Sequence, residues 1–260
     1  MQPIRVNYVT GNKGNVGKTA FANALIEFYR QNNVGLIKID ADSDSQTLSK
    51  MYKDAMLLVL SDDPRLSSQT DIIFRLAYAE SQKESGRQDI LVDLPAGGEK
   101  DINRWMKECG LAEDAATYGI SFVKWWVCDS DPYSIELFET SLKDNPDVKH
   151  IFLKNMGRSS DNNWKTFDKK KTLHSLLKKQ SGLVLEIPSV DAETLNSLRD
   201  QSISFEQARS KDFLQVDPTQ HLRIKGWLMR MERMLGDTIS IPNEMRPVAK
   251  AKKEAATAVN

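Results

Sequence analysis

The residues best suited to chemistry lie together in Gly11-Asn12-Lys13-Gly14-Asn15-Val16-Gly17-Lys18-Thr19, between an apolar run over Ile4 to Val9 and a helical pattern from Thr19 to Tyr29. A strand that turns through small residues into a helix start aims several backbone N–H groups, and the positive end of the helix dipole, at one spot. Such a spot stabilises a polyphosphate. On this reading Gly14, Asn15, Val16, Gly17, Lys18, Thr19 and Ala20 line the phosphates, Lys18 neutralises the β- and γ-phosphates, and the Thr19 hydroxyl ligates Mg²⁺. The general pattern G-x-x-x-x-G-K-[ST] wants glycine at position 12, where the chain has Asn12. A narrower form, K-G-G-x-G-K-T, fits with Lys13 standing before Lys18 and Asn15 replacing the middle glycine. Asparagine tolerates left-handed backbone angles better than other non-glycine residues. Taken alone, the loop is equally readable as an ordinary turn before a capped helix.

Two further groups of acids support the phosphate reading. Asp89-Ile90-Leu91-Val92-Asp93 places the Asp93 carboxylate at the tip of a buried strand, where it needs a cation, and a Mg²⁺ shared with Thr19 would supply one. Pro95-Ala96-Gly97-Gly98 then forms a small-residue turn whose Gly97 N–H can meet a γ-phosphate. Asp40, Asp42 and Asp44 alternate after the second strand, and like charges this close repel unless a cation or water holds them. Asp42 is the candidate for orienting the attacking water, and Asp40 for the outer surroundings of the metal or for loop support. Asp44 reads better as a helix N-cap.

These residues need a scaffold that brings loop ends together. Strands are expected near Ile4–Val9, Gly35–Ile39, Ile90–Asp93, Ile120–Val127, His150–Lys154 and Leu183–Ile187. Helices are expected near Lys18–Gln31, Thr70–Ser85, Ile102–Glu108, Ser134–Lys143 and Lys169–Lys179. Alternation of this kind predicts an α/β, doubly wound, mainly parallel sheet with helices on both faces and ligands at the carboxyl ends of its strands. The candidate motifs do follow strands. One domain over residues 1–246 is expected, with a polar, alanine-rich tail over 247–260 that has nothing to bury.

Lys and Arg total 36 and Asp and Glu total 36, a balance that argues against a whole-surface polyanion binder but leaves room for a basic patch. Cys109 and Cys128 stand far apart, without the spacing of a zinc site or a disulfide framework. No run approaches the roughly eighteen apolar residues of a spanning helix, and a leader has little room before Ile4. A soluble protein of the reduced cytosol is the expectation from composition.

Lys13 through Thr19, Asp40-Ala41-Asp42 and Val92-Asp93-Leu94-Pro95-Ala96-Gly97 occur in an order and spacing that resemble the ParA/MinD class of deviant Walker ATPases, over roughly residues 3 to 200. The resemblance implies ATP and Mg²⁺ as ligands, a P-loop NTPase fold and slow ATP hydrolysis. It also implies an ATP-dependent homodimer in which Lys13 reaches the partner's ATP, with Lys18 and Thr19 on phosphate and metal, Asp42 as the catalytic carboxylate and Asp93 as the Walker B acid. Asn155 looks like the adenine-reading asparagine, and Pro188, Ser189 and Asp191 belong to a loop that resembles the one covering the base. An activating adaptor protein is implied as well, and so is a bacterial cytosol with nucleoid association.

The surface such a dimer would bind is less marked. For nonspecific DNA the candidates are Lys169, Lys170, Lys171, Lys178 and Lys179, with Arg223, Lys225, Arg230 and Arg233. Gly226 to Leu235 is amphipathic like an interfacial membrane helix, but its place before Ile239 favours a packed terminal helix. The leading expectation is an ATPase that partitions or positions a cargo, with plasmid DNA first. The alternatives are an accessory nucleotide switch of conjugation or mobilisation, a MinD-like membrane-surface positioning ATPase, and a metabolic or metal-carrier P-loop enzyme.

Overall fold

In the computed structural model, which describes residues 2–61, 63–159, 161–210 and 216–239, the apolar runs become strands. They are β1 (Ile4–Thr10), β2 (Leu36–Asp40), β3 (Met56–Leu57), β4 (Asp89–Asp93), β5 (Ile120–Cys128), β6 (Lys149–Asn155) and β7 (Leu183–Ile187). All pair in parallel, in the order β3-β2-β4-β1-β5-β6-β7. The helices between them are α1 (Lys18–Gln31), α2 (Thr47–Met51), α3 (Asp71–Ser81), α4 (Glu99–Glu108), α5 (Leu111–Asp114) and α6 (Pro132–Asp144). After them come α7 (Lys165–Lys169), α8 (Lys171–Lys179), α9 (Ala192–Asp200), α10 (Phe205–Arg209) and α11 (Pro218–Gly236).

Strand alternation divides the core into layers. Val9, Leu91, Val123, Trp125 and Val127 face one way, against Phe21, Leu25 and Phe28 of α1 and Trp227, Leu228 and Met231 of α11. Their neighbours Tyr8, Ile90, Val92 and Phe122 face the other way, against Ile73 of α3 and Ile102, Trp105 and Met106 of α4. Trp126 and Phe152 continue that second side under α6, α7 and α8. Apolar groups are buried on both faces, as a parallel sheet requires. The doubly wound α/β fold is therefore the one the chain adopts.

Four differences from the expected elements have local causes. β3 is a two-residue edge pairing and too short to read from a pattern. The helix expected over Lys169–Lys179 breaks at Lys170, whose ψ of 77° is not helical. Asp44 does not cap α2, because a turn carries the chain on to Gln46, which holds the N-cap position in a left-handed conformation. Ahead of α3, a 3-10 turn over Pro64–Thr70 starts behind Asp63, whose side chain accepts the Arg65 N–H.

The carboxyl ends of the central strands lie side by side. Val9 and Asp40 each stand in register with Asp93, and Thr10 with Trp126. At the end of β1, Gly11 has φ +154°, and a Cβ there would meet the Val127 carbonyl oxygen at 2.4 Å, so the chain can leave the sheet only through glycine. The 247–260 tail and the end of the expected 1–246 domain lie outside the described residues.

The amphipathic segment at 226–235 is the second half of α11, and its apolar side is turned inward. Ile224, Trp227, Leu228, Met231 and Leu235 are buried, and Trp227 donates from Nε1 to the Pro188 carbonyl at 2.7 Å. Among the described residues no helix is long and apolar enough to cross a membrane. Trp227→Ala removes a large buried ring and that hydrogen bond, and is expected to lower unfolding free energy by about 3–5 kcal/mol in urea titration. A loss under about 1 kcal/mol would mean the helix is not docked as described.

Candidate functional site

The loop from Gly11 into α1 has the conformation its composition suggests. Asn15 has φ 57°, the left-handed value its replacement of a glycine demands, whereas Asn12 is not among the left-handed residues and tolerates its side chain. Gly17 has φ +105°, and a Cβ there would come within 2.7 Å of Asn155 Nδ2. Gly14 has open space around it. Asn155, at the end of β6, donates from Nδ2 to the Val16 carbonyl at 2.7 Å and accepts the Gly157 N–H at 3.0 Å. Its amide thus braces the loop from beneath.

Lys18 begins α1 and is almost fully buried, with Nζ donating to the Lys13 carbonyl at 2.8 Å. Burial lowers its pKa, and the carboxylates of Asp93 and Asp42 oppose that shift. The Thr19 side chain lies beside the Asp93 carboxylate, whose Oδ1 has no hydrogen-bond partner among the described residues although Asp93 is only 2% exposed. Burial pushes the Asp93 carboxyl up to about 7; Thr19 and Lys18 counter this, and Asp40 and Asp42 reinforce it. A buried carboxylate oxygen without a donor costs free energy that a cation would recover.

Asp42 faces the same space, anchored by the Ser45 N–H at 3.2 Å. Asp40 instead accepts the N–H groups of Asp42 at 3.1 Å and Ser49 at 2.8 Å. Of the two places expected for it, the structure shows loop support. Pro95 to Gly98 follow Asp93, with Gly97 at φ +78° and Ala96 on the cavity wall.

A cavity of about 460 Å³ opens over this loop and is lined by Gly14, Asn15, Gly17, Lys18, Thr19, Ala20 and Asp42. Its far wall was not foreseen: Asn23 of α1, Ser45, Thr47 and Met51 around α2, and Leu195, Asn196, Leu198, Arg199 and Phe205 of α9 and α10. Asp191 followed by Thr194, Leu195 and Leu198 was a readable helix start, since Asp191 caps α9 by accepting Thr194 N–H at 2.8 Å. Pro188, Ser189 and Asp191 do not line the cavity. Pro188 and Ser189 give their carbonyls to Trp227 and Arg230, and Asp191 lies 3.5 Å from Arg223.

Lys13 points elsewhere. Its ammonium sits 3.2 Å from Asp129 and 3.1 Å from Asp131, past the end of β5, and its side chain is 39% exposed. Of the lysines considered for a polyanion, Lys170 pairs with Glu139 at 3.1 Å, and Lys169, Lys171, Lys178 and Lys179 are exposed on α7 and α8. Arg223, Arg230 and Arg233 line the outer face of α11.

Comparison with solved structures agrees with this architecture. The MinC:MinD cell division protein complex of Aquifex aeolicus matches with a TM-score of 0.50 at 14% identity, over 92% of this chain and 99% of that one. The chain has a MinD-like α/β fold. Similar too are an ATP complex of McdA from Cyanothece (TM-score 0.45, 14% identity, 93% and 100% covered) and a plasmid partition protein from Borrelia burgdorferi (0.46, 13%, 92% and 100%). No family model matches the chain, and no curated protein sequence does.

In this fold the raised Asp93 carboxyl has a measurable sign. Its folded value of about 7 lies above that of an unfolded aspartate, so protonation stabilises the fold fully below the unfolded value, and that stability is lost as pH rises through 7. In nucleotide-free protein with chelator, Asp93→Asn is expected to flatten this slope and to raise stability at pH 8 by on the order of 3 kcal/mol. Parallel pH profiles of the two proteins in thermal unfolding would contradict the buried, unpartnered carboxylate.

Proposed function

We propose that this chain is an ATPase that uses Mg·ATP to pass from a single copy to a dimer, and that the dimer holds nonspecific DNA to partition or position a cargo, plasmid DNA first among them. One observation carries the reading: Lys18, Thr19 and Asp42 line a single cavity, and behind them, beside Thr19, lies the Asp93 carboxylate with one oxygen unpartnered among the described residues. Thr19 and Asp93 would hold the magnesium, which when bound neutralises charge on the β- and γ-phosphates. The buried Lys18 ammonium and the N–H groups of the loop bind the same phosphates. Asp42 orients the water that attacks the γ-phosphorus, and the Pro95–Gly98 turn borders the γ-phosphate through the Gly97 N–H.

Lys13 gives the switch its direction. A nucleotide that bound monomer and dimer equally would shift nothing, so the dimer must add an interaction that the monomer lacks. Within one chain the Lys13 ammonium rests on Asp129 and Asp131, outside the cavity its own backbone helps to build. Released from those acids, it is available to a phosphate of the partner copy, as a cation supplied in trans. The exposed lysines of α7 and α8 and the arginines of α11 are the surface for DNA, and duplication in a dimer steepens a phosphate-based, salt-sensitive affinity. An adaptor protein that stimulates hydrolysis completes the cycle.

Sedimentation with ADP, ATP and a slowly hydrolysed analogue, with and without plasmid-length DNA, tests this directly. The chain is expected to be monomeric with ADP, dimeric with the analogue, and bound to DNA only as the dimer. Lys13→Gln should retain nucleotide affinity within about threefold and lose dimerisation and hydrolysis. Dimerisation of Lys13→Gln equal to that of the parent chain would remove the trans interaction.

A further inference from the structure

Among the charged clusters outside the cavity, one is built on the central strand β5. Lys124 stands in the middle of β5 among Phe122, Val123, Trp125 and Trp126, and its side chain is 1% exposed. Its ammonium donates to Glu99 Oε1 at 2.7 Å and to Asn103 Oδ1 at 2.6 Å, residues one turn apart on α4. The Ser141 hydroxyl of α6 also contacts Glu99 Oε1 and lies 3.0 Å from Nε2 of His150 on β6. His150 holds the Val148 carbonyl through Nδ1 at 2.8 Å, and its pKa is lowered to about 3, first by burial and then by Lys124, which leaves the ring neutral. A lysine, a glutamate, an asparagine, a serine and a histidine thus meet where β5, β6, α4 and α6 come together.

Stability alone does not account for this arrangement, because apolar residues of similar volume usually serve a buried position as well as an ion pair does. What an ion pair adds is a fixed place. Glu99 is the first residue of α4 and follows Gly98 directly, so the residue that Lys124 grips is at the end of the Pro95–Gly98 turn. The near end of the turn is tied to the sheet by the Leu94 N–H on the Val9 carbonyl at 3.0 Å. Beyond it, the Gly98 N–H to the Pro95 carbonyl at 3.1 Å, the Lys100 N–H to the Gly97 carbonyl at 3.2 Å and the Ile102 N–H to the Gly98 carbonyl at 3.3 Å are local and set shape, so the far end at Gly98 takes its position against the sheet from α4. Ser141 extends the same grip to α6, whose N-cap is Asp131, one of the two acids that hold Lys13.

We propose that Lys124 is a positioning residue: through Glu99 it fixes the first turn of α4, and with it the Pro95–Gly98 turn at the edge of the phosphate-loop cavity. The consequence for hydrolysis rests on the ATPase reading above; the consequence for the turn does not. Lys124 does not line the phosphate-loop cavity, and acts by keeping a backbone N–H where a transferring phosphoryl group needs it. Misplacement of such a donor by a fraction of an ångström lowers the rate of the chemical step more than it lowers binding.

The test uses the full chain with Lys124→Met alone and with Lys124→Met combined with Glu99→Gln, which leaves no unpaired charge buried if the single variant fails to fold. Hydrogen exchange is followed in the nucleotide-free protein, and kcat, KM and affinity for a fluorescent ATP analogue are measured alongside. The double variant is expected to exchange about tenfold faster over residues 94–103, with β1 and α1 unchanged, and to lose about tenfold or more in kcat while analogue affinity stays within about threefold. Unchanged exchange over 94–103, or faster exchange spread evenly over the whole sheet, would overturn the proposal, as would an unchanged kcat in a parent chain that hydrolyses ATP. A parent chain without ATPase activity would remove the proposed function, and the exchange data would still decide whether Lys124 places the turn.

Discussion

The site depends on an electrostatic imbalance at the carboxyl edge of the sheet. Asp40 and Asp93 end neighbouring strands in register, Asp42 lies two residues further on, and the Lys18 ammonium is the cation beside them. Asp40 is satisfied by backbone N–H groups, but Asp93 keeps an oxygen without a donor inside the protein. A cation would resolve this, and phosphates would supply the buried Lys18 ammonium with an anionic hydrogen-bond partner. On the proposed function, each half of a magnesium–triphosphate would correct a cost that the folded chain carries.

The same balance explains why the loop is braced from several directions. Gly11 allows β1 to turn beneath Val127, Asn155 holds Val16 from the end of β6, and the Lys13 carbonyl takes the Lys18 ammonium. The loop is braced by parts of the chain far apart in sequence. Lys13 is the exception in this arrangement: its backbone belongs to the loop while its side chain is held by Asp129 and Asp131 at the end of β5. A half-exposed ion pair of this kind is worth little, so in the proposed dimer a phosphate of the other copy would compete for the lysine.

Much of this was legible in the residues because it is local. Continuous apolar runs marked six of the seven strands, and the loop could be assigned despite Asn12 and Asn15 because backbone geometry, not glycine count, decides whether it forms. What was not legible depends on convergence. The wall formed by Leu195, Asn196, Arg199 and Phe205 meets Ala20 and Asn23 only because α9 and α10 fold back over α1, which no periodicity encodes. The loop at 188–191 was placed over the base by resemblance, yet Trp227 and Arg230 claim its carbonyls. Lys124 is a lone lysine in an apolar strand, but its partners Glu99 and Asn103 lie on α4, and the network runs on through Ser141 of α6 to His150 of β6.

The central claim is that a magnesium–triphosphate is gripped by the loop at Gly11 to Thr19, and calorimetric titration of Mg·ATP into the purified chain tests it most directly. The account predicts saturable binding of one nucleotide per chain that weakens when magnesium is chelated. It also predicts a loss of about a hundredfold or more in Lys18→Ala, because that variant takes a charge-assisted hydrogen-bond donor out of a buried site. Binding unaffected by Lys18→Ala and by chelator, or no heat of binding in a folded chain, would contradict it.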